Sequence, residues 1–236
     1  MLDKYEASPL AAAPDLFAGL PEHVCRGILS KAYRREIPCG DILFRAGDPK
    51  RMIYLLTEGR VKITQVSKNG SEVILWLNIP GQIIGSLSLM AGGSHSSTSE
   101  AIRDCRVLIW DSPVFEAFLE CHPLFLRNVQ HVIARQLSEL SSRVREVSTE
   151  TVLPRLAHGL IRLADQIGRK VDDTFELDVT QEALAQMTAM TFYTANRQLS
   201  EWEEQGLVVR KKYTIVIRDL PALKRLVAVS DFSVPG

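Results

Sequence analysis

Hydrophobic and polar residues follow three rhythms along the chain. From Ile37 to about Asp111, short apolar runs are separated by turn residues. The runs are Ile42 to Phe44, Ile53 to Thr57, Arg60 to Val66, Val73 to Ile79 and Val107 to Asp111. Between and around them lie Gly40, Gly47, Gly59, Asn69-Gly70, Pro80-Gly81, Gly85 and Gly92-Gly93. Several runs alternate with the period of two that sends neighbouring side chains to opposite faces of a strand, and Asn69-Gly70 suits a tight hairpin turn. Many short strands at this spacing predict an antiparallel barrel or jelly roll. Trp76, within one run, reads as core or rim. Helix precedes the strands: Leu16 to Leu20 opens it, and Pro21 to Arg34 places Val24, Ile28 and Leu29 inward.

The second rhythm is helical. Pro113 to Leu119 starts it, and after Pro123 a segment without Gly or Pro continues to about Val147. Leu126, Ile133, Leu137, Leu140, Val144 and Val147 form a heptad stripe with Gln130 at its one polar position, while Arg135, Glu139, Arg143, Arg145 and Glu146 occupy other faces. A solitary stripe of this length predicts a parallel coiled-coil dimer, with Ile133, Leu137, Leu140, Val144 and Val147 at the interface. Packing against the chain's own barrel is the competing use of the same residues. Ser148 to Thr151 is polar and reads as a hinge. Val152 to Gly168 is amphipathic helix, Arg169 to Thr174 a charged loop, and Phe175 to Val179 a strand.

The third rhythm is a pair of short helices between Val179 and Val209. Thr180 is placed to cap the first, with Glu182 in its first turn and Leu184 and Met187 on one apolar side. Thr188-Ala189-Met190 breaks the pattern. Thr191 caps a second helix whose apolar positions, Ala195, Leu199 and Trp202, fall at i, i+4 and i+7, with Gly206 as its stop. Tyr193, Asn196, Arg197 and Ser200 lie on the opposite face and Phe192 at the boundary. An ordinary helical hairpin has the same periods. The Leu207-Val208-Val209 run, the Arg210-Lys211-Lys212 cations and the strand Thr214 to Ile217 add a hairpin wing suited to a phosphate contact. Together they predict a helix for a major groove, with Thr180, Gln181, Thr191, Phe192, Tyr193, Asn196, Arg197, Ser200, Lys211 and Lys212 as DNA-binding residues.

Composition narrows the classes. The 236 residues suggest one or two domains, 46% hydrophobic content suffices for a core, and 28 basic residues balance 28 acidic ones. Neutral balance excludes a chain coated in basic charge but not a local basic patch. No signal peptide or membrane span is expected, which makes a cytoplasmic protein the expectation. Cys25, Cys39, Cys105 and Cys121 are scattered without a CxxC, so neither a zinc nor an iron–sulfur framework is expected. The histidines His23, His95, His122, His131 and His158 lack ligand-like neighbours in sequence. A haem held by a single histidine is compatible with this content. No nucleophile–base pair or metal cluster suggests catalysis.

The order β-roll, long helix, hinge, winged helix-turn-helix resembles the cyclic-AMP receptor protein and fumarate-nitrate regulator (CRP/FNR) family of bacterial transcription factors, from about Leu16 to Leu226. The resemblance is carried by Gly40, Gly47, Gly59, Gly70, Gly81 and the run Pro80-Gly81-Gln82-Ile83-Ile84-Gly85. His122-Pro123 before the long helix carries it too, as do Val179-Thr180, Thr191, Arg197, Leu199 and Gly206-Leu207-Val208. It implies an α+β chain: a sensor β-roll of the cyclic-nucleotide-binding type over residues 1–120, a dimerisation helix over 121–148, and a DNA-binding winged helix over 149–236. It also implies a homodimer on inverted-repeat double-stranded DNA, with RNA polymerase as partner. An effector pocket would comprise Ile84, Gly85, Ser86, Leu87, Ser96, Ser97, Thr98, Leu140 and Ser141.

Departures from the family pattern matter as much. Ser86 stands where cyclic-AMP receptors have a Glu, Ser96 where they have an Arg, and Leu140 where a Thr meets adenine. The N-terminal cysteines of the oxygen-sensing branch are missing, and Phe192-Tyr193 replaces an Arg-Glu pair that reads bases. The expectation is therefore a regulator that does not use cyclic AMP in the usual manner. It would answer to a less charged effector, to a haem-borne gas, or to no small molecule. A cyclic-nucleotide regulator with a divergent phosphate cassette is the alternative.

Overall fold

The computed structural model describes residues 13–70, 72–85 and 93–231, with 229–231 described by backbone alone. Contacts divide the chain into two units, 1–70 with 75–138 and 71–74 with 139–236.

Eight strands build the roll of the first unit: β1 (Tyr33–Ile37), β2 (Ile42–Phe44), β3 (Met52–Glu58), β4 (Val61–Val66), β5 (Glu72–Asn78), β6 (Ile83–Ile84), β7 (Thr98–Ala101) and β8 (Cys105–Asp111). They form two four-stranded sheets in the orders β1-β8-β3-β6 and β2-β7-β4-β5. The two central strands of the first sheet, β8 and β3, are buried on both faces. On β3, Ile53 and Leu55 enter one hydrophobic cluster while Tyr54 and Leu56 enter the other. On β8, Leu108 and Trp110 go one way and Val107 and Ile109 the other. That is why these two strands read as continuous apolar runs rather than alternating ones.

Helices cover one face: α1 (Pro14–Phe17), α2 (Glu22–Ser30), α3 (Ser112–Cys121) and the start of α4 (Pro123–Thr149). Polar anchors fix them. Buried Trp110 donates from Nε1 to the Ile28 carbonyl at 2.8 Å, and Asn128 donates to the carbonyls of Leu16 (3.1 Å) and Ala18 (2.9 Å). Gly59, at φ 91°, closes the β3–β4 turn; a Cβ there would lie 2.3 Å from the Asp104 carbonyl oxygen. Only glycine fits both the dihedral and the approach.

Two readings of the sequence need correction here, the end of α2 and the length of the break after α4. The helix expected to run to Arg34 ends at Ser30, because Tyr33–Ile37 satisfies the edge of β8 in antiparallel register, Tyr33 opposite Ile109. Strands β6 and β7 carried no legible signal, one being two residues long and the other reading Thr-Ser-Glu-Ala. Ile133, for which a dimer interface and packing on the barrel were the two expected uses, is half-buried and packs beside Leu126 on the roll's own core. Farther along α4 the stripe is bare: Leu137 is 62% exposed, Val144 60% and Val147 43%, with Leu140 half-buried. The break after α4 is also shorter than expected, comprising Glu150 and Thr151 only.

The second unit contains α5 (Val152–Ile167), β9 (Arg169–Val171), β10 (Thr174–Leu177), α6 (Gln181–Met187), α7 (Phe192–Glu204), β11 (Val208–Arg210), β12 (Ile215–Ile217) and α8 (Leu220–Asp231). Its sheet has the order β11-β12-β10-β9. The stretch expected as a charged loop is the β9–β10 hairpin, turning on Asp172 at φ 52°. Within this unit, Arg162 grips the buried Glu146 with two bonds of 2.8 and 3.1 Å, and Glu150 meets His158 at 2.9 Å. No helix among the described residues is long and apolar enough to cross a membrane.

Candidate functional site

Local chemistry explains the helix pair of the second unit. Thr180 accepts from the Ala183 N–H, and Thr191 accepts from the Thr194 N–H, both at 3.1 Å; each cap satisfies a donor that the first turn leaves unpaired. Leu184 and Met187 are buried on α6, and Ala195, Leu199 and Trp202 on α7. Ala189, at φ 51°, turns the chain between them. Gly159 on α5 lets α6 approach: a Cβ there would lie 2.4 Å from the Thr188 methyl. Arg143 on α4 donates to the Met187 carbonyl at 2.7 Å. Burial chiefly, and the Arg162 charge next, pull its pKa down to about 10, so it stays a cation at neutral pH.

The outward face of α7 presents Phe192, Tyr193 and Arg197, all exposed. Phe192 had been placed at the boundary, and it is 52% exposed. Asn196 and Ser200 are half-buried and partly engaged. Arg210 donates to Asn196 Oδ1 at 2.7 Å, and the Ser200 hydroxyl donates to the Asn196 carbonyl at 3.0 Å. Arg210 was expected at the wing turn as a phosphate contact. It lies in β11 instead, and its guanidinium and backbone N–H both bond Glu203, which holds the Glu203 carboxyl below its ordinary pKa. Strand position explains the correction: Arg210 pairs with Ile215, which turns its side chain toward α7. The exposed cations at the tip are Lys211, 3.6 Å from Glu176, and Lys212, over the Tyr213 ring at 5.0 Å. Exposed Tyr213 escaped the sequence reading, since a lone tyrosine between a lysine and a threonine carries no periodic signal. Gln181 is half-buried at the first position of α6.

A second site is a small cleft in the first unit, partly open to solvent. Ile84, Gly85, Ser96 and Ser97 line it as expected of an effector pocket, joined by Phe44, Ile63, Trp76, Asn78, Ile83 and Gln136. Thr98, Leu140 and Ser141 are not among the described lining. The Thr98 hydroxyl accepts from the Ala46 N–H at 3.2 Å instead, and Gln136 lies one helical turn before Leu140. Ser86 and Leu87 fall outside the described residues. None of the described lining side chains is charged, and residues 86–92 contain no charge in sequence. The lining and residues 86–92 also lack histidine and cysteine, and the ring of nearby His95 stacks on Phe44 with centroids 3.7 Å apart. The cleft residues therefore do not fit a haem held by one histidine.

Comparison with known proteins matches the two units separately. Residues 34–122 fit the cyclic nucleotide-binding domain, and residues 154–226 fit the Crp-like helix-turn-helix domain. The chain belongs to the CRP/FNR family of transcription regulators. Among its relatives, the cyclic AMP receptor protein of Thermus thermophilus is 28% identical over 89% of this chain and 95% of its own length. A CRP-like cAMP-activated global transcriptional regulator of Mycobacterium tuberculosis is 23% identical over 92% and 97%. The solved structure of FixK2 from Bradyrhizobium japonicum shares the fold, with a TM-score of 0.74 at 21% identity over 83% of this chain and 96% of that one. Like other CRP/FNR regulators, this one carries its DNA-binding element in the helix-turn-helix of the second unit.

Proposed function

We propose that this regulator acts in the cytoplasm as a homodimer on an inverted-repeat operator, with RNA polymerase as its partner. The stripe of exposed Leu137, Val144 and Val147, with half-buried Leu140, would zip two copies, and a two-fold axis would set the two α7 helices about 34 Å apart on DNA. The observation that carries the reading is Arg197, exposed on the outward face of a doubly capped helix and paired with no acid among the described residues. Guanidinium is the commonest bidentate partner of guanine. Phe192 and Tyr193 supply apolar contact for thymine methyls. Asn196 keeps its amide N–H groups for a base edge, Ser200 keeps its lone pairs, and Thr180, Gln181, Thr191, Lys211 and Lys212 flank the phosphates. Selection of bound fragments from genomic DNA tests this: a recovered inverted repeat whose spacing matches one helical turn supports it, and recovery of random sequence overturns it.

The β-roll would sense a signal other than cyclic AMP. A cyclic phosphate keeps its negative charge when it leaves water, and that burial is costly without a cation. Ser96 supplies none, and neither Arg60 nor Arg103 lines the cleft. Calorimetry with cyclic AMP should show no micromolar binding; micromolar binding that tightens operator affinity would refute this.

A further inference from the structure

Asn78 is the last residue of β5 and is 2% exposed, yet it lines the cleft. Its amide nitrogen donates to Gln82 Oε1 at 3.1 Å, and the Ile79 backbone N–H donates to the same atom at 3.2 Å. A backbone N–H only donates, so that atom of Gln82 must be the oxygen, and Asn78 must present its NH2 to it. The amide cannot be turned over. Oδ1 of Asn78 is thereby left buried with no hydrogen-bond partner. Buried carbonyl oxygens without partners are rare in folded proteins because nothing replaces the water they lost.

Two residues earlier on the same strand stands Trp76, half-buried and also lining the cleft. The period of two puts Trp76 and Asn78 on one face of β5. Phe44 and Ile63 add apolar wall, Ser96, Ser97 and Gln136 add neutral polar wall, and the described lining has no charge.

We propose that the cleft binds a small, uncharged, planar heteroaromatic molecule that lies along Trp76 and donates an N–H to Oδ1 of Asn78. Asn78 is the specificity residue: it rewards a donor and leaves an acceptor or an anion unmatched. The inference rests on the reading of the first unit as the sensor. It goes further than excluding cyclic AMP, because it states which hydrogen-bond sense the effector must have.

Indole and 1-methylindole are the probes, since they differ in the one N–H and share the apolar body. Titrated into the full chain by calorimetry, indole should bind about tenfold more tightly than 1-methylindole, the worth of one well-made hydrogen bond. Asn78→Leu should bring indole down to the affinity of 1-methylindole and leave 1-methylindole unchanged. If Asn78 served only to hold Gln82, the substitution would weaken both probes alike, which would overturn the assignment. Should the variant fail to fold, the probe pair on the unaltered chain still decides. Equal affinities, or no binding of either probe at millimolar concentration, overturn the proposal, as does micromolar binding of cyclic AMP. Operator selection proceeds without these compounds. Its failure would remove the regulator model, whereas failure of the probes alone would remove only the ligand class.

Discussion

The two units treat charge in opposite ways. The second displays it on an exposed helix face and wing, where water solvates Arg197 and Lys212 at little cost and a polyanion can be met by releasing its counterions. The first contains a cleft whose described lining has no charge and includes a buried neutral carbonyl without a partner. A charged partner suits the first arrangement and an uncharged one the second. The difference follows from exposure: an ion on an open face keeps its hydration, while an ion entering a cleft must find a replacement for it.

The largest expected effect comes from the surface that would join two copies. Val144→Glu should leave the monomer folded, since Val144 is 60% exposed, but would set like charges across a two-fold axis. Sedimentation should show monomers, and operator affinity should fall by about 10²–10⁴-fold as the two half-sites lose their linkage. A variant that remains dimeric would put the interface elsewhere. Next come two of the glycines that permit close approach, one from each unit. Gly59→Ala combines a left-handed φ with a backbone clash and should cost at least about 2 kcal/mol in denaturant unfolding. Gly159→Ala meets a side-chain methyl rather than backbone, and the gain in helix propensity offsets part of the strain, so about 1 kcal/mol is expected. If Gly159→Ala proved the costlier, the second unit would be the more tightly constrained of the two.

Smaller effects test the charged surface itself. Arg197→Ala should weaken specific binding by about 1–3 kcal/mol with little change on random DNA, whereas Lys212→Ala should weaken both and lower the salt slope by about one. Identical profiles for the two would make Arg197 a phosphate contact. The smallest effect concerns the neutral unit. Burial, and secondarily Lys50, lower the pKa of His95, with Asp48 opposing. The unfolded chain then takes up this proton first as pH falls. Stability contributed by neutral His95 is complete above the ordinary histidine value, about 6.5, and is lost as pH drops from there toward the lower folded value. Thermal melts between pH 7.5 and 5.5 should decline, and His95→Gln should flatten that slope. An unchanged slope would assign the decline to other groups.

Much of the second unit was legible because its signals are local. The hydroxyls of Thr180 and Thr191 reach N–H groups three residues away, and Ala195, Leu199 and Trp202 share a face by helical geometry alone. The cleft was only partly legible. Gly85, Ser96 and Ser97 came from a family pattern, but Phe44, Ile63, Trp76, Asn78 and Gln136 are brought together from four separate elements. No periodicity links them. Arg210 shows the same limit on a smaller scale: its charge was visible, but only its pairing with Ile215 turns it toward Glu203 and away from the wing tip.

The sequence by itself determined the caps of α6 and α7, the turn glycines and the order of roll, long helix and winged helix, because caps and turns depend on contacts within a turn or two of chain; it did not determine β1 or the β9–β10 hairpin, which exist through pairing with other strands. Tertiary structure alone decided which part of the α4 stripe is used up on the roll's own core, where Ile133 packs, and which part stays bare from Leu137 onward. It also decided that Asn78 keeps an unpartnered oxygen, since that depends on the side chain of Gln82 bending back to the Ile79 backbone and on what the neighbouring strands leave uncovered. Local rules name a residue's options, and only packing between distant segments selects among them.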